Sequence, residues 1–559
     1  MADIEVNGNP LYVDAKDPNA YKSIQDAIDA ASPGCNIQVI TGYYPSFVIN
    51  KPGIKIQPAS KSDNVIILAD SKQTVTIDFE GDTPAEIHGL KFGHTAVESK
   101  INFQKMIKIF LSKKKTHMQS TENITTNFAE FYHSDLNHVA LLRVSKGHLI
   151  CTNCLFSYKL LAKSLEYLIS AVILEEDTKT VMRNCEIAGN KHYLSCGMLI
   201  HKANAEIENC KIHNHGFGGF SVFLKKSNRF ECKNSIIFRN KIGGIDLNNQ
   251  EGSLLLTGNK IINNVGYGIK CGLKTVGTIS KNQLINNTIG IYLVSSECHI
   301  LKNVVKKSIQ SGIVSTIKDE MGNKSEIKMN TITENKENGI LIEGANNVTL
   351  VQSNYKISHN NERGVLIRNH AFPEITSNSI YGNMKQGVLI QEDAAAKIIK
   401  NSIYKNIKAN IALGGEFNDK SVIIYNKIYS SAAEGIFAMK TGPLVIHNND
   451  VFENYDGIVL SESHADVKAN TIHDNFVNGL FFIDGSNPTI TNNIIEKNEG
   501  IGLLIKDTSA PTLEGNRITD NEINVASENK KIGMNVWTDN NNNGQQNDIF
   551  AKTGFCNIF

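Results

Sequence analysis

The sequence predicts an all-β solenoid, one chain wound into stacked parallel coils of about 24 residues. Three observations carry that reading. The first is a repeat: an Asn, an apolar residue two or three places on, a second Asn, then Gly followed by Ile, Val or Leu. Clear copies are Asn330-Thr-Ile-Thr-Glu-Asn335 with Gly339-Ile340, and Asn470-Thr-Ile-His-Asp-Asn475 with Gly479-Leu480. The second is its period. The first Asn of each copy falls at 184, 209, 234, 259, 282, 303, 330, 354, 378, 401, 426, 449, 470, 493 and 516. A fixed period in the twenties marks a solenoid, whose units bury their apolar faces only by stacking. The third is the strand signal within each copy, short β-branched runs such as Gly387-Val-Leu-Ile390 and Gly457-Ile-Val-Leu460 bounded by Asn, Gly and Asp. Leucine-rich repeats have a similar length, but their Leu framework is absent. Two or three short strands per coil suit a parallel β-helix with coils roughly 4.8 Å apart.

Taken in order, residues 1–35 form an N-terminal segment with a helix. Ile24, Ala27, Ile28 and Ala31 recur at helical spacing within Tyr21–Ala31, behind Asp17-Pro18-Asn19 as start signal. The helix is expected to plug the first coil, since an uncovered coil edge invites aggregation. Residues 36–525 form the solenoid, starting with Ile37–Ile49. From Lys100 to about Asn137 the pattern breaks, with Lys113-Lys-Lys115 and a polar run, which reads as an insertion on one coil. Residues 526–559 lose the Gly-Ile element and read as an irregular C-terminal cap anchored by Trp537 and Phe555.

The ladder residues have a physical reason. Each coil turns sharply at the same place, and Asn and Gly are the residues most tolerant of positive φ. Asn330, Asn378, Asn401, Asn449, Asn470 and Asn493, with Gly339, Gly387 and Gly479, are therefore expected to mark corners. Stacked amides should pair along the axis in two ladders, the second starting five residues after the first. Asn410 replaces the expected Gly, and its tolerance of the left-handed region explains the exchange.

The repeat resembles the right-handed parallel β-helix (pectin-lyase-like) superfamily, in particular its NosD-like and carbohydrate-binding/sugar-hydrolase repeats. It is similar to the β-helical part of the F-box-only substrate receptors. The resemblance covers most of the chain and implies a scaffold, which does not fix a function. It brings two functional expectations with it, a polysaccharide lyase or glycoside hydrolase and a ubiquitin-ligase substrate receptor. Pectate lyases of the superfamily need clustered Asp ligands for calcium and an Arg base. Polygalacturonases need adjacent Asp pairs with His-Gly and Arg-x-Lys elements. The sequence contains no Asp-Asp pair, and no F-box-like helical segment is recognisable.

One constellation bears on catalysis. Five residues past the Gly of consecutive coils stand Glu462, Asp484 and Asp507. In register they would form a carboxylate ladder with neighbours about 5 Å apart. Two such acids suit a retaining glycosidase and three suit calcium; exposed turns pointing acids into water are the ordinary explanation. Arg368, His370, Glu392 and Asp393 share an edge in the same way and read as an ion-pair patch. Asp539-Asn-Asn-Asn-Asn-Gly544 matches the first half of a calcium loop, with Asp539 as its leading ligand. The twelfth position, however, is Phe550 rather than Glu.

Composition narrows the classes. With 57 basic and 56 acidic residues, no global field draws nucleic acid or an acidic membrane. No twenty-residue apolar span and no basic-then-apolar start is present, so a cytoplasmic setting is expected. The ten cysteines form no paired framework. Cys154, Cys185 and Cys210 each follow a repeat Asn and should stack as small fillers, and Cys151-Thr-Asn-Cys154 lacks the second pair a metal site needs. No cofactor is expected.

The favoured reading is a non-catalytic β-helical scaffold that binds other proteins along its faces, without nucleic acid or membrane insertion. Its regular lateral surface suits assembly on a filament or other large periodic object. Asn, Lys and Ile enrichment is compatible with an AT-rich, protist-type genome, so a cytoskeletal or ciliary axoneme assembly is the setting expected.

Overall fold

Alternation of aliphatic and polar residues over three to five positions, repeated about every 24 residues, produces parallel strands. A computed structural model describes residues 9–69, 74–94, 139–158, 169–191, 195–248, 251–318, 320, 322–415 and 420–528. The expected insertion at 100–137 and most of the C-terminal cap, with Trp537, Asp539 and Phe555, lie outside these residues. The chain divides into two compact units, residues 1–288 and 289–559.

In the first unit, Leu11–Val13 already pairs in parallel with Asn36–Val39. The sheet therefore starts before the helix, earlier than the boundary expected at residue 36. The helix is shorter than expected and spans Ile24–Ala30. Its cap is Ser23, whose hydroxyl accepts the Asp26 amide at 3.1 Å, while Asp17 closes a preceding turn by accepting the Asn19 amide at 2.9 Å. Ile24, Ala27 and Ile28 are buried, as their spacing requires. Lys51 Nζ donates to the carbonyls of Ile28, Asp29 and Ala31 at 2.9, 2.8 and 2.8 Å, satisfying acceptors that the helix end leaves open.

Each regular coil of the second unit carries three strands, such as Glu374–Thr376, Ser379–Tyr381 and Val388–Gln391. These belong to the first, second and third sheets. Stacking in register builds columns of one residue class. Ile375, Ile398, Ile423 and Ile446 follow one another in the first sheet, and Ile357, Ile380, Ile403 and Ile428 in the second. All are fully buried, so β-branched side chains fill the interior coil after coil. In the first unit the corresponding first-sheet column runs Cys151, Met182, Ile207, Cys232 and Leu256.

The corners differ from expectation in a consistent way. Asn378, Asn401 and Asn449 are buried and do not have positive φ; the residue before each does, Ser377 at 55°, Lys400 at 54° and Asn448 at 55°. The ladder amide instead works on hydrogen bonds. Asn330 Nδ2 donates to Asn354 Oδ1 at 3.1 Å, Asn378 to Asn401 at 3.0 Å, and Asn470 to Asn493 at 2.9 Å. The same oxygen accepts the backbone amide of the preceding coil's Asn, as from Asn378 to Asn401 at 2.9 Å. A second Nδ2 hydrogen reaches a carbonyl one coil back, as from Asn378 to Val351 O at 2.9 Å. A buried corner is thereby satisfied.

In the first unit Asn184, Asn209 and Asn234 take the positive-φ position, at 53°, 53° and 50°. The ladder position then falls one residue later, on Cys185, Cys210 and Ser235. The Cys185 amide donates to Cys210 Sγ at 3.4 Å, the Cys210 amide to Ser235 Oγ at 3.1 Å, and the Ser235 amide to Asn259 Oδ1 at 2.9 Å. The cysteines are buried fillers, and Cys210 also accepts a ladder hydrogen bond.

The repeat glycines are needed for room, not for φ. Gly339, Gly387 and Gly479 are absent from the positive-φ positions. A Cβ on Gly387 would stand 2.6 Å from Asn410 O and 2.7 Å from Asn406 Nδ2; one on Gly479 would stand 2.8 Å from Asn498 Nδ2. The third sheet passes too close to the second amide ladder to admit a methyl group. Among the described residues, no helix is long and apolar enough to cross a membrane.

Candidate functional site

Glu462, Asp484 and Asp507 occupy positive-φ corners at 46°, 58° and 55°, and all three are exposed. Glu462 lies 3.5 Å from Lys440 Nζ, and Asp484 accepts Ser461 Oγ at 2.8 Å. No group of three or more His, Cys, Asp or Glu among the described residues is arranged to hold a metal ion. Beneath these corners lies a hydroxyl ladder that the sequence reading missed. The Ser463 amide donates to Ser486 Oγ, and the Ser486 amide to Ser509 Oγ, each at 3.1 Å. Serines spaced 23 residues apart were its signal. Arg368 turns to Glu343 at 2.7 Å, leaving His370 and Asp393 as exposed corners.

Outward positions of the second sheet carry a stack of rings. Tyr381, Tyr404, Tyr429, Phe452 and His473 follow one another with centroids 4.8, 4.7, 5.0 and 5.0 Å apart. The faces cover one another, so the stack is a lateral brace rather than a platform for a planar ligand. His473 ends it between two acids, Asp450 Oδ1 at 3.0 Å from Nε2 and Asp474 Oδ2 at 2.6 Å from Nδ1. Burial opposes the charged ring, but hydrogen bonds and charge from Asp474 and Asp450 outweigh it and raise its pKa.

The outer face of the third sheet differs between the units. In the first it carries a buried polar group. Ile245, Leu247, Ile269 and Cys271 face the interior, so the alternating residues Asp246 and Lys270 stand on the opposite side, paired in register. Lys270 Nζ lies 3.5 Å from Asp246 Oδ1, and Tyr267 Oη donates to Asp246 Oδ2 at 2.7 Å. Burial, with the Asp246 charge added, raises the Tyr267 pKa well above its ordinary value. Gly243 leaves room for the Tyr267 ring, which a Cβ there would strike. The signal was legible: Gly244-Ile-Asp246 and Gly268-Ile-Lys270 are aligned copies, so an acid sits over a base.

In the second unit the same outward row is apolar. Leu366, Leu389, Ala412, Phe437, Val459 and Phe481 succeed one another in register. After the second-ladder positions come Met384, Ile407, Ala432, Tyr455 and Phe476; Tyr455 stands one place farther along the turn than the others, its amide donating to Ala433 O at 2.9 Å. Met384, Ile407, Tyr455 and Phe476 are 55, 51, 45 and 53% exposed. Asn361 and Glu499, both polar, hold the same corner beyond the two ends. The sheet row is already covered, with Leu366, Leu389, Ala412 and Val459 at most 9% exposed, so the exposed apolar surface is the turn row, flanked by polar residues at both ends. Sequence reading missed it because these side chains sit in turn segments.

A family model described as "Right handed beta helix region" matches residues 101–261, 170–320, 249–361, 315–468, 363–518 and 459–550. No curated protein matches the sequence. Among solved structures, the chain is similar to the pectate lyase Pel9A, with 12% identity, 58% of this chain and 80% of that chain covered, and a TM-score of 0.35. It is similar to the periplasmic alginate epimerase AlgG, with 12% identity, coverage of 78% and 84%, and a TM-score of 0.27. A third is the mannuronan C-5 epimerase AlgE4 A-module of Azotobacter vinelandii, with 13% identity, coverage of 79% and 93%, and a TM-score of 0.19. Likeness at this level transfers no activity.

Proposed function

The chain belongs to the right handed beta helix family, and on that scaffold we propose a protein-binding function without catalysis. The binding face is the exposed apolar turn residues of the second unit, and the partner is another folded protein chain in a cytoplasmic assembly. One observation supports this reading above the rest. Met384, Ile407, Tyr455 and Phe476 each leave about half of their surface in water, on four of five consecutive coils. Burying such side chains on association removes roughly 25 cal/mol per Å² of apolar area from water, which gives this face a standing drive to be covered.

The test is a comparative capture from the source lysate with three baits. The wild type and a Thr489→Asp control on the first sheet should retain the same specific partner, and the Ile407→Asp/Phe476→Asp variant should lose it. Capture unaffected by the double variant overturns the face. Hydrolysis, lysis or epimerisation of an acidic polysaccharide by the purified protein, abolished by Asp484→Asn, overturns the non-catalytic reading.

A further inference from the structure

Asp246 and Lys270 hold in-register positions on the adjacent parallel strands Gly243–Leu247 and Tyr267–Cys271 of the first unit. Their side chains are 3 and 5% exposed, with Lys270 Nζ 3.5 Å from Asp246 Oδ1. The other ion pairs of the described residues keep one member in water, as Lys233 does beside Glu231. This pair does not, and 3.5 Å is longer than a charge-assisted hydrogen bond. Among the described residues, neither Lys270 Nζ nor Asp246 Oδ1 has a hydrogen-bond partner. The Tyr267 ring, its centroid 5.6 Å from Nζ, returns only part of what the ammonium loses on leaving water. The other carboxylate oxygen, Oδ2, accepts Tyr267 Oη at 2.7 Å.

We propose that Lys270 and Asp246 join in an intramolecular isopeptide bond, a covalent staple between consecutive coils. Lys270 Nζ attacks Asp246 Cγ, the N–C bond forms, and the Cγ–Oδ2 bond breaks. Of the three ammonium protons, one stays on the amide nitrogen and two leave with Oδ2 as water. No electron is gained or lost, and no co-reactant enters.

The fold supplies what the reaction needs. Register on neighbouring strands sets amine and carboxyl side by side, replacing an encounter in solution with a positioned one. Tyr267 is the catalytic group: its hydroxyl polarises the carboxyl, donates to the leaving oxygen and returns unchanged. Burial and the Asp246 charge hold its proton in place. Two buried ions become one neutral amide, so the desolvation penalty of the pair disappears. Exclusion of water also withholds the reactant of the reverse step.

Mass spectrometry of the denatured full-length protein tests this. Lys270→Arg keeps the cation but removes the amine, so it is the unlinked reference. The wild type should be lighter than that reference by the residue exchange plus one water. Lys397→Arg, on the outer face of the first sheet, should differ from the wild type by the exchange alone. Trypsin cuts between the two sites at Lys260, and the wild-type digest should yield one branched peptide with two amino termini that carries both residue 246 and residue 270. A wild type that differs from Lys270→Arg by the exchange alone overturns the proposal. A water-light chain whose digest frees the two segments separately overturns it too, since cyclisation of an aspartate gives that result. If Lys270→Arg does not fold, the wild-type digest decides: a branched peptide supports the bond, and two separate peptides overturn it.

Discussion

Asn410 Nδ2 donates to Asn454 Oδ1 at 3.1 Å, across the coil whose ladder position is held by Ser431. Asn406 reaches Asn410 Oδ1 at 2.8 Å, so the amide ladder detours through Asn410 and continues. Ser431 contributes its own amide to Asn454 Oδ1 at 3.1 Å. Asn410 is outside the positive-φ set, so the left-handed tolerance expected of it is not what the fold uses. In neighbouring coils a Cβ at the Gly position would meet the next coil's ladder amide, 2.7 Å away at Gly387. A side chain at 410 fits because the residue it would strike is Ser431.

That pairing predicts a rescue. Ser431→Asn alone should destabilise the protein, because its amide collides with the Asn410 Cβ. Asn410→Gly alone should cost about 1–3 kcal/mol by orphaning buried amides. The double variant should regain most of the loss, since it restores the pattern of Gly387 and Asn406. Chemical denaturation of all three variants measures the coupling.

Gly387→Ala and Gly414→Ala should differ sharply. The first places a methyl group 2.6 Å from Asn410 O and should cost about 1–3 kcal/mol through overpacking. The second meets nothing within 4 Å and should be close to neutral. Thermal midpoints compare them directly.

The period was legible because the interior columns admit almost nothing but β-branched and other aliphatic residues, so Ile375, Ile398 and Ile423 repeat without interruption. The reason for each corner residue was not. Asn suits both a positive-φ corner and a buried ladder, so Asn184 and Asn378 look alike in sequence while doing different work. Gly suits both positive φ and close approach, and Gly387 serves the second. The apolar row was hidden because Ile407 and Phe476 follow a ladder Asn, where sequence signals turn. Nothing but stacking shows that such residues line up.

His473 makes stability depend on pH. Its pKa is raised in the folded chain, so the folded state binds the proton more tightly than the unfolded one. The contribution is fully present below the unfolded value near 6.5 and is lost as pH rises through the folded value. His473→Phe keeps the ring stack and should remove this fall. Melting temperature followed from pH 5 to pH 9 in both proteins checks it.

Asp246→Ala should be among the more damaging single changes in the first unit, at about 3–5 kcal/mol, because it leaves the Lys270 ammonium buried and unpaired. Tyr267→Phe should cost about 1–3 kcal/mol. Asp246→Leu with Lys270→Leu should recover much of the first loss. Urea midpoints order the three.

The most direct test of the binding claim is lysine cross-linking in native lysate, read by mass spectrometry. Intermolecular links from this chain should concentrate on Lys405 and Lys408, beside the apolar row. Links concentrated instead on Lys397 and Lys468 of the first sheet, with none at Lys405 or Lys408, would contradict the account.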